Sequence, residues 1–353
     1  MRFKKVFWVI GFLILVIQTL VFATEQAVDK KLILDKMQEA IRTVNFQRSV
    51  VVQELAMQGL FNIKTEQIQE TDIPNRIMHT VVQIKDYNFD TKTMMQLARQ
   101  TALKQGSAQG LSEEQLKKIE DDPTVSVVME KQFSLMAEKL KGKKTEQYMV
   151  GSNLYMVIDN SWYRINQPSF EVMWQLLEKL RKGTVEDREA FLKTMPQELQ
   201  QALGPLFSLI QSEEFSSGAF MGQIQEKDWQ GKAVYEIEVN NPDFKKLLEQ
   251  TIKDYASQQS GQVLQITVNS FQARNYIDKN SFLPLGSTAS IEVTLQMQGI
   301  SEPIKATLIA HQTEEYPNQK ITLPKEVQDA TLVQDEKQLQ ELFQKAIEKD
   351  FAL

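Results

Sequence analysis

The sequence predicts an α+β fold in which long antiparallel strands turn one apolar face towards amphipathic helices. Three observations predict it. In the stretch Phe282 to Gln298, Ile291, Val293, Leu295 and Met297 alternate with Glu292, Thr294, Gln296 and Gln298, the period of a half-buried strand. Strand-like runs are joined by tight polar turns, as at Gly151-Ser152-Asn153 and Asp159-Asn160-Ser161. Between them lie segments whose apolar residues recur at helical spacing. An antiparallel sheet with one face covered and one face wet gives this combination.

Taken in order, the chain opens on a targeting segment. Arg2, Lys4 and Lys5 precede the apolar run Val6 to Ile17, and Val21-Phe22-Ala23 supplies small residues for signal peptidase, so residues 1–23 read as a signal peptide cut after Ala23. Uncut, Val6 to Ala23 is long enough for an anchor, with membrane contact at the N-terminus. A helix is expected over Asp29 to Val44, with Ile33, Met37, Ala40, Ile41 and Val44 on one side, as a lid or packing helix. Extended segments follow at Ser49 to Thr65 and Arg76 to Phe89. A helical block spans 91–140, restarted by Asp122-Pro123. A meander comes next: Glu146 to Val150, Leu154 to Ile158, Trp162 to Ile165. A second helical block, 168–213, starts at Pro168 and has its first break at Gly183. Ala219 to Lys227 and Ala233 to Val239 form a hairpin, and Asn241-Pro242 starts a further helix. Three long strands run over Gln262 to Ile277, Phe282 to Gln298 and Ile304 to Thr313. The first changes phase between Val268 and Phe271, which predicts a bulge near Asn269-Ser270. A last helix covers Asp335 to Phe351.

The 353 residues carry 40 Lys+Arg against 46 Asp+Glu, two histidines and no cysteine. Cysteine nucleophiles, zinc fingers, iron–sulfur sites, disulfides and a lipid-anchored N-terminal cysteine are thereby excluded. No metal or cofactor is expected. Loss of residues 1–23 makes the chain more acidic, and no basic cluster suits nucleic acid. His79, on a face with Ile77 and Val81, and His311, with Thr307 and Ile309, read as sheet histidines with ordinary partners, because no second ligand lies at helical or hairpin spacing. The paired acids Glu113-Glu114, Asp121-Asp122, Glu213-Glu214 and Glu314-Glu315 read as solvated charge or caps. Glutamine is frequent, and on strands and helices it reads as a residue that keeps exposed faces wet. No Gly-x-Ser-x-Gly, His-Glu-x-x-His, phosphate loop or EF-hand loop occurs, and the chain is expected not to be an enzyme.

The segment Tyr148-Met-Val-Gly-Ser-Asn-Leu-Tyr155 with Trp162-Tyr-Arg-Ile165 resembles secreted bacterial proteins of the LolA/LppX-like superfamily. Gln230-Gly-Lys-Ala-Val-Tyr235, Tyr276-Ile-Asp-Lys-Asn-Ser-Phe-Leu-Pro284 and Ile321-Thr-Leu-Pro-Lys-Glu326 agree with its uncharacterised Firmicute lipoprotein-type branch, without that branch's lipobox cysteine. The resemblance covers roughly residues 29–90 and 145–330. It implies a curved antiparallel half-barrel whose concave face is covered by helices, with an apolar cavity between. In this picture residues 24–334 form one domain carrying the helical blocks 91–140 and 168–213, and 335–353 is a C-terminal helix.

The function expected is a secreted or envelope-associated protein that holds a lipid or other apolar molecule without catalysis. Tyr235, Ile237, Val239, Ile291, Val293, Leu295 and Met297 are the expected cavity wall, with Tyr155, Trp162 and Trp174 near its mouth. The alternative is a structural or sensory envelope module with a packed interior that binds a protein partner.

Overall fold

The computed structural model describes residues 28–90, 137–182, 221–239, 265–296 and 303–351, with a few single positions between them. The signal segment 1–23, most of the block 91–140 and residues 183–193 and 195–213 of the second block lie outside the described residues.

The first half of the sheet is a meander of six strands: β1 (Phe46–Met57), β2 (Phe61–Asp72), β3 (Ile77–Phe89), β4 (Lys144–Val150), β5 (Asn153–Ile158) and β6 (Ser161–Asn166). The second half has five: β7 (Met221–Trp229), β8 (Lys232–Val239), β9 (Gln265–Asp278), β10 (Pro284–Gln296) and β11 (Ile304–Glu315). A short strand, β12 (Thr331–Val333), completes one sheet of order β12-β6-β5-β4-β3-β2-β1-β11-β10-β9-β8-β7. The order does not close on itself, so the sheet is open, and every neighbouring pair is antiparallel except β12 with β6. This is the α+β class expected: one large open sheet, antiparallel apart from its β12 edge, with a few helices beside it.

Local chemistry explains the turns. Asp159 and Asn160, between β5 and β6, both have positive φ (49° and 61°), as a two-residue turn matched to strand twist requires. Gln230 and Gly231 repeat the device between β7 and β8. The expected extended segment Ser49 to Thr65 is in fact two strands, because the chain reverses at residues 58–60, where Gly59 takes a φ of 71°. The bulge expected near Asn269-Ser270 is present: Glu292 faces Ser270 and Val293 faces Val268, which leaves Asn269 unpaired.

The two strands at the middle of the sheet, β1 and β11, divide cleanly. In β1, Ser49, Val51, Gln53, Leu55 and Met57 are buried while Val50, Val52, Glu54 and Ala56 are half-exposed. In β11, Ala306, Leu308, Ala310, Gln312 and Glu314 are buried and Lys305, Ile309, His311 and Glu315 are exposed. Carried across the ladders, this alternation defines an inner and an outer face.

Helix α1 (Val28–Thr43) covers the inner face, its Ile33 and Met37 packing on Ile237 of β8 and Ile277 of β9. Helix α2 (Pro168–Lys182) starts at Pro168, as read from the sequence, and Gly183 lies outside the described residues. The helix lies against the turns at one end of the sheet, where Arg76 reaches Glu171 at 2.5 Å and the Trp174 indole donates to the Gly151 carbonyl at 3.1 Å. Helices α3 (Lys325–Gln328) and α4 (Glu336–Phe351) flank the β12 edge.

Candidate functional site

The inner face changes character along the strands. One cross-sheet row is Phe271, Ile291, Leu308 and Leu55, all buried and all apolar. The next is Ala273, Ala289, Ala310 and Gln53. After it come Asn275, Ser287, Gln312 and Val51, and then Glu314 opposite Ser49. Within six strand positions, Leu308 to Glu314, roughly 20 Å of strand, the face passes from hydrocarbon to amides and a carboxylate.

Glu314 sits at the polar end, only 8% exposed. Its Oε2 accepts from Gln47 Nε2 at 2.8 Å and its Oε1 accepts from Gln312 Nε2. Burial pushes the carboxyl up from its usual range, against the hydrogen bonds from Gln47 and Gln312 that pull the other way. Tyr316 follows it; burial first, and the Glu314 charge second, raise its hydroxyl, which donates to the Pro284 carbonyl at 2.8 Å. The pair Glu314-Glu315 is therefore not the solvated pair expected. The strand alternation splits it, putting Glu314 inside and Glu315 outside, 2.9 Å from Arg48. Gln53 and Gln312 likewise correct the expectation that strand glutamines wet an exposed face: both are buried on the covered side.

Over β2 to β5 the inner face is less covered. Thr65, Gln67 and Gln69, Val82 and Ile84, Gln147 and Met149, and Leu154 and Met156 are all half-buried. A largely apolar surface is thus sealed on the β8–β11 side and partly accessible on the β2–β5 side.

The expected wall residues fall as follows. Tyr235, Ile237, Val239, Ile291, Val293 and Leu295 all lie on the inner face, by strand parity and register. Ile237 is packed directly under α1, and half-buried Tyr235 lies near Phe282 with the Lys279 ammonium over its ring. Met297 lies outside the described residues. Tyr155 and Trp162 are on the opposite face: Tyr155 pairs with Tyr148, whose ring is 5.7 Å from that of Trp162. Trp174 is buried on α2, its indole bonded to the Gly151 carbonyl in the turn between β4 and β5.

The outer face carries its own polar chain. His79 is held between Glu70 Oε2 at 2.9 Å from Nδ1 and Glu146 Oε1 at 3.0 Å from Nε2, and it stacks on Tyr148 with centroids 4.3 Å apart. Burial, and next the Glu146 charge, push the Tyr148 hydroxyl up to about 12, so it stays a donor to Glu146. Arg48 extends the chain to Glu70 and Glu315. Both imidazole nitrogens are engaged, which leaves neither free as a base or a ligand. Glu70 is the direct cross-strand partner of His79 in the β2–β3 hairpin. Sequence reading missed it because β2, Phe-Asn-Ile-Lys-Thr-Glu-Gln-Ile-Gln-Glu-Thr-Asp, is too polar to stand out as a strand. Among the described residues no group of three or more His, Asp or Glu is placed to hold a metal ion, and no helix is long and apolar enough to cross a membrane.

No family model and no curated protein matches the chain. Among solved structures it is similar to LprF from Mycobacterium bovis, at 8% identity and a TM-score of 0.34 over 85% of this chain and 98% of that one. It is also similar to the LolA superfamily protein NE2245 from Nitrosomonas europaea, at 9% identity and a TM-score of 0.19 over 84% of this chain and 96% of that one.

Proposed function

We propose that the chain is an extracytoplasmic, non-catalytic binding protein that holds a lipid or other apolar molecule between the inner face of its sheet and the covering helices. The observation that carries this reading is the inner face itself: apolar at one end and polar at the other from β8 to β1, sealed on that side, half-covered over β2 to β5. Concave, mostly apolar surfaces with a few placed polar groups are the usual form of a small-molecule site. Inner positions of this kind contribute about 25 cal/mol per Å² of apolar area removed from water, so a single acyl chain laid along two rows would gain several kcal/mol.

The test is to express the full-length sequence in a bacterial host, purify the folded protein from outside the cytoplasm, and identify co-purifying lipid by mass spectrometry against a same-host control. A stoichiometric lipid that disappears in Leu295→Lys, with the circular dichroism spectrum unchanged, is the expected result. Leu295 suits this purpose because it lies on the inner face yet is only half-buried. A second reading, a packed envelope module that binds a protein partner, is favoured by the close packing of Ile33 and Met37 on Ile237 and Ile277. Absence of enriched lipid together with failure to take up a hydrocarbon dye would decide for that reading.

A further inference from the structure

Ser49 and Gln53 are the two inner-face residues of β1 with a buried polar side-chain atom left without a partner among the described residues, and of the two Gln53 lies nearer the apolar rows. It is 7% exposed, and its Nε2 has no hydrogen-bond partner among the described residues. A buried amide donor without an acceptor opposes folding, and nearly all such groups in folded proteins are paired. Its row explains where an acceptor would lie. Going outward from Gln53, the cross-strand neighbours are Ala310, Ala289 and Ala273, three successive buried positions with the smallest side chain that still has a Cβ. Larger side chains stand on either side, Leu308 and Ile291 towards the apolar end and Gln312 and Ser287 towards the polar end.

We propose that this alanine row is the head-group position of the ligand site, and that the ligand it takes is an amphiphile with an uncharged, hydroxyl-bearing head; the proposal rests on the binding function above. The tail runs over the Ile291 and Leu308 side. The head lies over Ala289 and Ala310, where one of its oxygens accepts from Gln53 Nε2 and a hydroxyl donates towards the amide oxygen of Gln312. Charge selects against the alternatives. No Lys or Arg occupies an inner-face position of β1, β9, β10 or β11, and a buried carboxyl stands at the polar end, so a phosphate or free carboxylate head would be repelled without a counter-charge. A cationic head would find no free carboxylate oxygen to balance its charge, because both Glu314 oxygens already accept amide hydrogens, and the unmet group at Gln53 is a donor.

The experiment uses the delipidated full chain and three probes: diphenylhexatriene, a hydrocarbon dye; 1-octadecene, a tail with no oxygen; and monooleoylglycerol, a tail of similar length with an ester and two hydroxyls. Monooleoylglycerol is expected to displace the dye at about tenfold lower concentration than 1-octadecene, the scale of one or two well-made hydrogen bonds. Gln53→Leu is expected to erase that preference by weakening monooleoylglycerol, and to raise the melting temperature of the lipid-free protein because the unmet donor is gone. Equal potency of the two on the wild type overturns the head-group site and leaves the apolar reading standing, and it needs no variant to fold. Failure of all three probes to bind overturns the binding function and this proposal with it. Retention of the preference in a folded Gln53→Leu overturns the role of Gln53.

Discussion

Glu314 is a carboxylic acid whose oxygens are satisfied by amides instead of water or a cation. Burial raises its titration in the folded chain above the ordinary value of 4.5. Between that value and the raised one the folded chain holds a proton that the unfolded chain has released, so stability falls as pH rises through the window. Glu314→Gln keeps the shape and removes the ionisation. Its melting temperature is expected to exceed that of the wild type at neutral pH, by about 2–4 °C for each kcal/mol of penalty removed, and the two are expected to converge at pH 4 and below. Thermal unfolding between pH 4 and 8 measures this; parallel curves would refute the assignment. The position was legible in part. Continuing the alternation of Ala306, Leu308 and Ala310 by two steps and then four puts Gln312 and Glu314 inside, just as Val51 and Leu55 bracket Gln53. Composition argued the other way, since glutamine and glutamate are usually exposed, and at these residues the period was the better guide.

Among the elements, those with a strong period or a marked turn were readable and those without were not. The β10 strand, both two-residue turns with positive φ and the Pro168 start of α2 follow from side-chain chemistry visible in the sequence. The polar β2 and the three-residue β12 do not, because pairing with neighbours distant in sequence decides them. The β9 bulge shows what a period can fix. Asn269 is the extra residue, so deleting it lets Ile266, Val268, Phe271 and Ala273 keep one face in unbroken alternation. That deletion is expected to cost about 1 kcal/mol. Deleting Thr267 instead turns Ile266, 2% exposed, out to solvent, at an expected cost of about 2–5 kcal/mol. Urea unfolding of the two variants compares them; equal costs would mean that the bulge does not absorb the change of phase.

For the whole molecule, an open sheet leaves two edges, and a bare edge is a template for another chain. On one side the guard is β12, three residues laid parallel on β6 with Leu332 exposed beside it. Ending the chain before Thr331 uncovers Trp162 to Ile165 and is expected to produce concentration-dependent dimers in size-exclusion chromatography with light scattering, where the full chain gives none from this edge. A monomeric truncation at high concentration would show β12 to be dispensable. The join between β1 and β11 matters in a different way. Gln47 and Glu314, which meet across it, are 267 residues apart in the chain. Every other antiparallel pairing in the sheet joins strands consecutive in the chain. At synthesis rates of about 5–20 residues per second, β1 therefore waits on the order of ten seconds or longer for its partner. Until β11 emerges, the growing chain carries two unfinished halves and a half-formed interior, so the moment at which this seam closes is also the earliest moment at which a ligand can be enclosed.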